Sequence, residues 1–340
     1  MAATVFSLAA CGSSENSDDT GDNEQVVNVY ASRHYDADRD MYAAFEDLTG
    51  IKVNLREAGA AQLLETVKAE GENTSADLII TADAGSLWRF QEADLLQPMT
   101  SDLLEAAIPE GFREPSGYWH GLSKRYRIIA YAPDRITADQ VDDYADLANP
   151  ALEGELCVRS STNVYNLSLL GDVMVRLGSE AAESWASGIV GNFARQPSGG
   201  DTDQIKAVAA GLCSVAIVNH YYWVRLSQSA SDADRDVAEA TSLAFPTLNG
   251  AGAHVNITGA GVAKHAQNPE NALKLLEFLA SPKGQEMLVV ETKEFPIVDG
   301  AALPDGLELL PSFQAGETPL SLYGANQSAA QAMFDRVDWN

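Results

Sequence analysis

The sequence predicts an α/β protein of two lobes, each a mostly parallel sheet flanked by helices, with two chain crossovers joining them. Three observations carry this. Apolar strand-like runs alternate with amphipathic helical runs at intervals of about 20 to 30 residues, the pattern of βαβ units. The chain has 340 residues, too many for one ordinary core and suited to two of about 100 to 200 residues each. Two apolar strands, Ile128-Ile-Ala-Tyr-Ala132 and Ser242-Leu-Ala-Phe-Pro246, read as crossings from one unit to the other. The expected division is residues 26–127 with 250–297 in an N-terminal lobe, and 128–249 with 298–340 in a C-terminal lobe.

Residues 1–11 read as a targeting segment rather than as structure. A short run of small and apolar residues ends Leu8-Ala-Ala-Cys11, which resembles the lipobox of a bacterial lipoprotein, where the cysteine is lipidated after cleavage. A plain secretory signal is the alternative. Residues 12–25 are polar and acidic with no apolar anchor, a flexible tether. No other stretch approaches the roughly 18 apolar residues a membrane span requires, so the expected location is the periplasm, with Cys11 as the membrane attachment. The formal charge is -27, from 49 acidic and 22 basic residues. Such a field repels phosphate backbones and anionic lipid, which argues against nucleic-acid partners.

The folded body opens with an apolar strand over 26–31. A helix over 38–49 follows, with Met41, Tyr42, Phe45 and Leu48 at helical spacing and Gly50 ending it. Strands over 51–55 and 77–82 and helices over 60–69 and 85–93 continue the alternation. Helical spacing returns over 167–177, 181–190 and 203–210, with a turn over 198–201. After a strand over 214–218, residues 229–238 are polar and acidic, a surface loop or a helix end. A strand over 257–264 leads to helices over 269–280 and 282–289, and residues 320–337 form a last helix expected on the second lobe. Cys157 and Cys213 each begin an apolar run; in an oxidising compartment a disulfide between them and a pair of buried thiols fit equally well.

The stretch Ser214-Val-Ala-Ile-Val-Asn-His-Tyr-Tyr-Trp-Val-Arg225 puts two adjacent phenols at the carboxyl end of a buried strand, where open α/β sheets place their ligands. Several phenols together suit a hard trivalent cation such as Fe(III), which prefers anionic oxygen donors and draws the phenol proton off well below its free pKa of about 10. The bland alternative is that Tyr221 and Tyr222 cap a core strand.

Further motifs change the balance. Tyr30-Ala-Ser-Arg-His-Tyr35, Thr49-Gly-Ile-Lys-Val-Asn54, Ala76-Asp-Leu-Ile-Ile-Thr-Ala-Asp83 and Ala93-Asp-Leu-Leu-Gln-Pro98 resemble the ferric-iron-binding periplasmic proteins of bacterial iron ABC transporters, in particular the cyanobacterial-type branch with a His-Tyr first loop. The likeness continues through Gly117-Tyr-Trp-His-Gly-Leu-Ser-Lys-Arg-Tyr-Arg127, Val158-Arg-Ser-Ser-Thr-Asn-Val-Tyr-Asn166 and Asn219 to Tyr222, and reaches at least Val298.

The resemblance implies the two-lobe periplasmic-binding-protein fold of type II. It implies metal ligation by His34 and Tyr35 from one lobe and by Tyr165, Tyr221 and Tyr222 from the other. Each of these groups also follows an apolar strand and precedes a helix. Fe(III) and four phenolates carry one net negative charge, so a cationic surround is expected. Arg33, Arg125, Arg127 and Arg225 are its candidates, the alternative for Arg125 and Arg127 being a solvated basic patch. His220 is either a donor behind the ligands or an exposed residue, and Tyr118, Tyr126 and Tyr131 are packing residues.

The implied ligand is Fe(III), with Fe(II) open to the same donors, and with His34, an arginine or a synergistic anion as the alternatives that complete the shell. The implied partners are a membrane permease and an ATPase, with the protein itself a monomer that performs no reaction. An oxyanion or organic solute on the same fold, and a non-haem iron enzyme, are the alternatives; the absence of P-loop, HExxH and G-x-S-x-G motifs weakens the enzyme reading. The Gly-rich run 248–254 lacks the strand, third glycine and acidic partner of a dinucleotide site.

Overall fold

The computed structural model describes residues 25–33 and 35–340. The targeting segment with Cys11, most of the tether, and His34 lie outside the described residues.

In chain order the first half contains β1 (Val26–Ala31), α1 (Asp36–Thr49), β2 (Lys52–Glu57), α2 (Ala60–Glu70), β3 (Leu78–Thr81), α3 (Ala84–Glu92), β4 (Leu96–Gln97), α4 (Asp102–Ala107) and β5 (His120–Tyr131). Next come β6 (Leu156–Cys157), α5 (Val164–Leu177), α6 (Ser179–Gly191), α7 (Asp201–Ala209), β7 (Val215–Asn219), α8 (His220–Ser227), α9 (Asp232–Glu239) and β8 (Ser242–Ala244). The chain finishes with β9 (Val255–Ala263), α10 (Pro269–Leu279), α11 (Pro282–Val290), β10 (Phe295–Pro296) and α12 (Ser321–Arg336). The acidic run after the tyrosine pair is therefore the helix α9.

Local rules account for these elements. Met41, Tyr42 and Phe45 form the buried stripe of α1. Leu48, of the same apolar spacing, is 72% exposed because the stripe has rotated off the core by the last turn. Gly50 then ends the helix at φ 71, a left-handed conformation costly for other residues, and its N–H satisfies Glu46 O at 2.8 Å.

The strands form one curled mixed sheet in the order β2-β1-β3-β9-β5-β7-β6. The ends of that order are parallel, β2-β1-β3 on one side and β7-β6 on the other, as βαβ connections require. The centre is antiparallel, because β9 and β5 carry the chain in opposite directions between the lobes. Residues 120–126 of β5 pair with β9, and residues 127–131 pair with β7. The first crossing thus falls at Tyr126 and Arg127, at the front edge of the expected strand. The return crossing comes later than 242–246, since β8 still pairs with β5 inside the second lobe and the chain crosses just before β9, where Arg127 N–H bonds His254 O at 3.1 Å.

Apolar clusters lie on both sides of this seam. One gathers β1, β3 and β9 with α1, α2, α3, α10 and α11. Another gathers β5 and β7 with α5, α6 and the end of α12. The final helix therefore does not rest on the second lobe alone. Tyr323 belongs to the first cluster and Phe334 to the second, and α12 packs on α3 as well as on α5. Contact is close on both faces: a Cβ on Gly324 would lie 2.4 Å from Trp88 Cβ, and one on Gly171 would lie 3.2 Å from Tyr323 O. A polar bond set adds to it. Asp83, the α3 N-cap, accepts from Ser168 Oγ at 2.5 Å, Asn256 Nδ2 at 2.7 Å and Gln327 Nε2 at 3.1 Å.

Cys157 and Cys213 form a disulfide with Cα atoms 6.0 Å apart, tying β6 to the entry of its neighbour β7 across 56 residues of chain. Loop-closure entropy for that length is worth about 4 kcal/mol. Reduction is therefore expected to lower the unfolding free energy by up to about 4 kcal/mol, read as the shift in urea midpoint with and without reductant.

Candidate metal-binding cleft

The tyrosines singled out by sequence all stand at helix N-termini reached from strand ends. Tyr35 is the N-cap of α1 after β1, Tyr165 is the second residue of α5 after β6, and Tyr221 and Tyr222 are the second and third residues of α8 after β7.

The structure brings all four together. Tyr221 Oη donates to Tyr165 Oη at 3.4 Å, and the Tyr221 and Tyr222 ring centroids are 4.4 Å apart. Arg225 follows one helical turn later, so its guanidinium returns over both rings, 5.0 Å from Tyr221 and 5.7 Å from Tyr222. The same guanidinium lies 4.9 Å from the Tyr35 ring and hydrogen-bonds that residue. Its Nη2 also donates to Thr292 O at 3.0 Å. One cation thus gathers phenols from both sides of the cleft.

Burial raises the pKa of Tyr221 well above the ordinary phenol value, raises that of Tyr165, and pushes Tyr222 up to about 12. These hydroxyls are neutral at physiological pH. Among the described residues no group of three His, Cys, Asp or Glu side chains is placed to hold a metal. The phenols are accordingly the candidate donors.

The other predicted arginines also reach the phenols. Arg33 lies 5.1 Å from the Tyr35 ring and is held by Asp38, with its Nε at 2.8 Å and Nη2 at 2.6 Å from the two carboxylate oxygens. Arg125 lies 5.5 Å from the Tyr165 ring, donates to Ala82 O and Thr258 Oγ1, and pairs through Nε with Glu294 at 3.1 Å. Burial alone would raise the Glu294 pKa, but Arg125 and Arg33 outweigh it and hold the carboxyl below its usual range. Arg127 lies 5.9 Å from the Tyr165 ring and pairs with Asp201 at 2.7 Å.

Sequence reasoning missed several members. Arg159, 5.8 Å from the Tyr165 ring, reads in sequence only as the end of a strand. Asn219 Nδ2 donates to Tyr221 Oη at 3.2 Å, a contact that its place two residues before that tyrosine hints at. Asp201 and Glu294 come from distant segments and carry no local signal. His220 is neither exposed nor a donor to the phenols. It is fully buried, its Nδ1 accepts the Tyr126 N–H at 3.2 Å, and its Nε2 faces Lys293 O at 3.1 Å, so both ring nitrogens are used away from the cleft. Burial depresses its pKa to about 3, keeping it neutral. Tyr126 packs among Phe245, Phe295 and Phe313, and Tyr131 lies in the second cluster.

A two-lobed α/β body with a cleft at converging strand ends is the architecture of a solute-binding protein. The chain belongs to the bacterial extracellular solute-binding protein family, whose model matches residues 73–311. It is 40% identical over 334 residues to iron uptake protein A1 of Synechocystis sp., covering 98% of this chain and 93% of that one. A Trichodesmium IdiA/FutA structure in complex with iron and citrate superposes with a TM-score of 0.89 at 43% identity, over 93% of this chain and all of that one. A ferric binding protein from Campylobacter jejuni matches with a TM-score of 0.87 at 36% identity, over 92% and 99% of the two chains. The mixed sheet and paired clusters described above are the two-lobe type II fold of these proteins.

The raised phenol values have a pH consequence. A tyrosine whose folded pKa exceeds its unfolded value of about 10 contributes stability that is complete below pH 10 and lost as pH rises toward the folded value. With Tyr222 at about 12, the unfolding free energy should decline between about pH 10 and pH 12. Tyr222→Phe should flatten that decline in urea titrations at successive pH values.

Proposed function

We propose that this protein is an extracytoplasmic iron-binding protein that captures Fe(III) between its lobes and delivers it to the permease and ATPase of an ABC transporter. The observation that carries the reading is the meeting of Tyr35 with Tyr165, Tyr221 and Tyr222 around Arg225. The iron-uptake and ferric-binding relatives support it. Tyr35, Tyr165, Tyr221 and Tyr222 supply phenolates and His34 an imidazole. Arg225, Arg125, Arg127 and Arg33 balance their charge.

The mechanism is closure without a chemical step. Tyr35 belongs to one jaw and the other three phenols to the opposite jaw, so a cation bridging them favours the closed arrangement. Displaced phenol protons leave as the metal enters, which makes affinity fall as pH falls. Fe(II) fits the same donors but leaves four phenolates and metal at two net negative charges rather than one, so the arginines have more to balance.

A cavity of about 390 Å³ beside Tyr165 is lined by the N-terminal turns of α2 and α5, at Gly59, Ala60, Asn163 and Val164, by Arg89, and by Asp83, whose carboxylate already caps α3. The two free helix N-termini and Arg89 support a carbonate or carboxylate group there as the synergistic anion. The protein acts as a monomer in the periplasm, tethered through Cys11, and performs no reaction.

Titration of the purified protein with a ferric chelate should develop the visible phenolate-to-iron charge-transfer colour. Tyr221→Phe and Tyr222→Phe should each lower ferric affinity by at least about tenfold. Unchanged affinity in both variants would reject the reading and favour an organic or oxyanion solute.

A further inference from the structure

Asp201 is wholly buried at the first residue of α7, and no role above uses it as more than a counter-charge. Its Oδ2 accepts from Arg127 Nη1 at 2.7 Å and from the Asn219 backbone N–H at 2.7 Å. Its Oδ1 lies 3.5 Å from Arg159 Nη1. One carboxylate thus touches β5 through Arg127, the turn leading to Tyr165 through Arg159, and the end of β7 just before Tyr221 and Tyr222.

The connections continue to the phenols themselves. Arg127 Nη2 donates to Asn166 Oδ1 at 2.8 Å, beside Tyr165, and Arg127 Nη1 reaches Asn219 Oδ1 at 3.3 Å. Asn219 Nδ2 in turn donates to Tyr221 Oη at 3.2 Å. The two guanidiniums lie 5.9 Å and 5.8 Å from the Tyr165 ring centroid. Two cations against one carboxylate leave a single positive charge beside the tyrosine from this set, and Arg125, 5.5 Å from the same ring, is balanced by Glu294.

We propose that Asp201 is a positioning residue for the tyrosine ligands, fixing Arg127 and Arg159 over Tyr165 and limiting the positive charge on that face to one unit. The inference rests on the iron-binding reading above. A guanidinium over a phenolate ring stabilises the filled π orbital from which charge transfer to ferric ion begins. A second uncompensated cation there raises the transition energy and weakens electron donation to the metal. Loss of a partner behind a metal ligand costs about 10 to 100-fold in affinity.

The test is a ferric nitrilotriacetate titration of the whole protein, followed by visible absorbance, for the unmodified chain and three variants. Asp201→Asn should move the charge-transfer band to shorter wavelength and lower affinity about tenfold. The double variant Asp201→Asn with Arg159→Gln returns the Tyr165 face to one positive charge and should restore the band position and most of the affinity. Arg159→Gln alone removes one cation from a partly exposed site and should move the band to longer wavelength, which keeps the test decisive if Asp201→Asn does not fold. An unmoved band in Arg159→Gln, or a double variant no better than Asp201→Asn, overturns the proposal. Absence of any band in the unmodified chain overturns the iron reading, and this inference with it.

Discussion

Everything in the cleft depends on the pairing of buried guanidinium groups with carboxylates. Arginine cannot shed its charge to escape burial, so each one held against the phenols needs an anion or a set of acceptors within reach. Arg33 has Asp38, Arg125 has Glu294, and Arg127 shares Asp201 with Arg159. Such pairs contribute little net stability, because desolvation of the ions offsets their attraction. Their value lies in direction: bonded on one side, each guanidinium presents a fixed face to a ring on the other. Among the described residues Arg225 pairs with no carboxylate, and the phenols themselves gather round it.

That constraint explains the use of β5. Arg125 and Arg127 alternate with Tyr126 along one strand, so both arginines leave the same sheet face while Tyr126 enters the aromatic cluster opposite. The partner exchange falls at this point, with β9 bonded up to Tyr126 and β7 from Arg127. The strand that joins the lobes is also the strand that charges the cleft.

Sequence made the clustered tyrosines legible as candidates, and the reason is local. A strand end followed by a helix start fixes where a side chain points, so Tyr35, Tyr165, Tyr221 and Tyr222 were recoverable from periodicity and punctuation together with the family resemblance. The carboxylates were not. Asp201 looks like an ordinary residue at a helix start, and Glu294 lies in a short connection before β10. Their partners are set by tertiary contact, which no spacing encodes. The crossing points were placed a few residues off for a similar reason: an apolar strand looks the same whichever neighbour it pairs with. His220 misled in the same way, because a histidine beside two tyrosines suggests a shared role while its ring bonds the backbone at Tyr126 and Lys293.

The last helix has a mechanical consequence. Through Gly324 it sits against Trp88 of one lobe, and through Tyr323 against Gly171 of the other, while Gln327 holds Asp83. A swing about the two central strands cannot leave both of these seats intact, since a rigid rod wedged between two bodies can travel with only one of them. If the lobes part as the proposed capture requires, one face of that splint has to be unseated, and the work of doing so would be an intrinsic resistance to opening that exists before any cargo arrives.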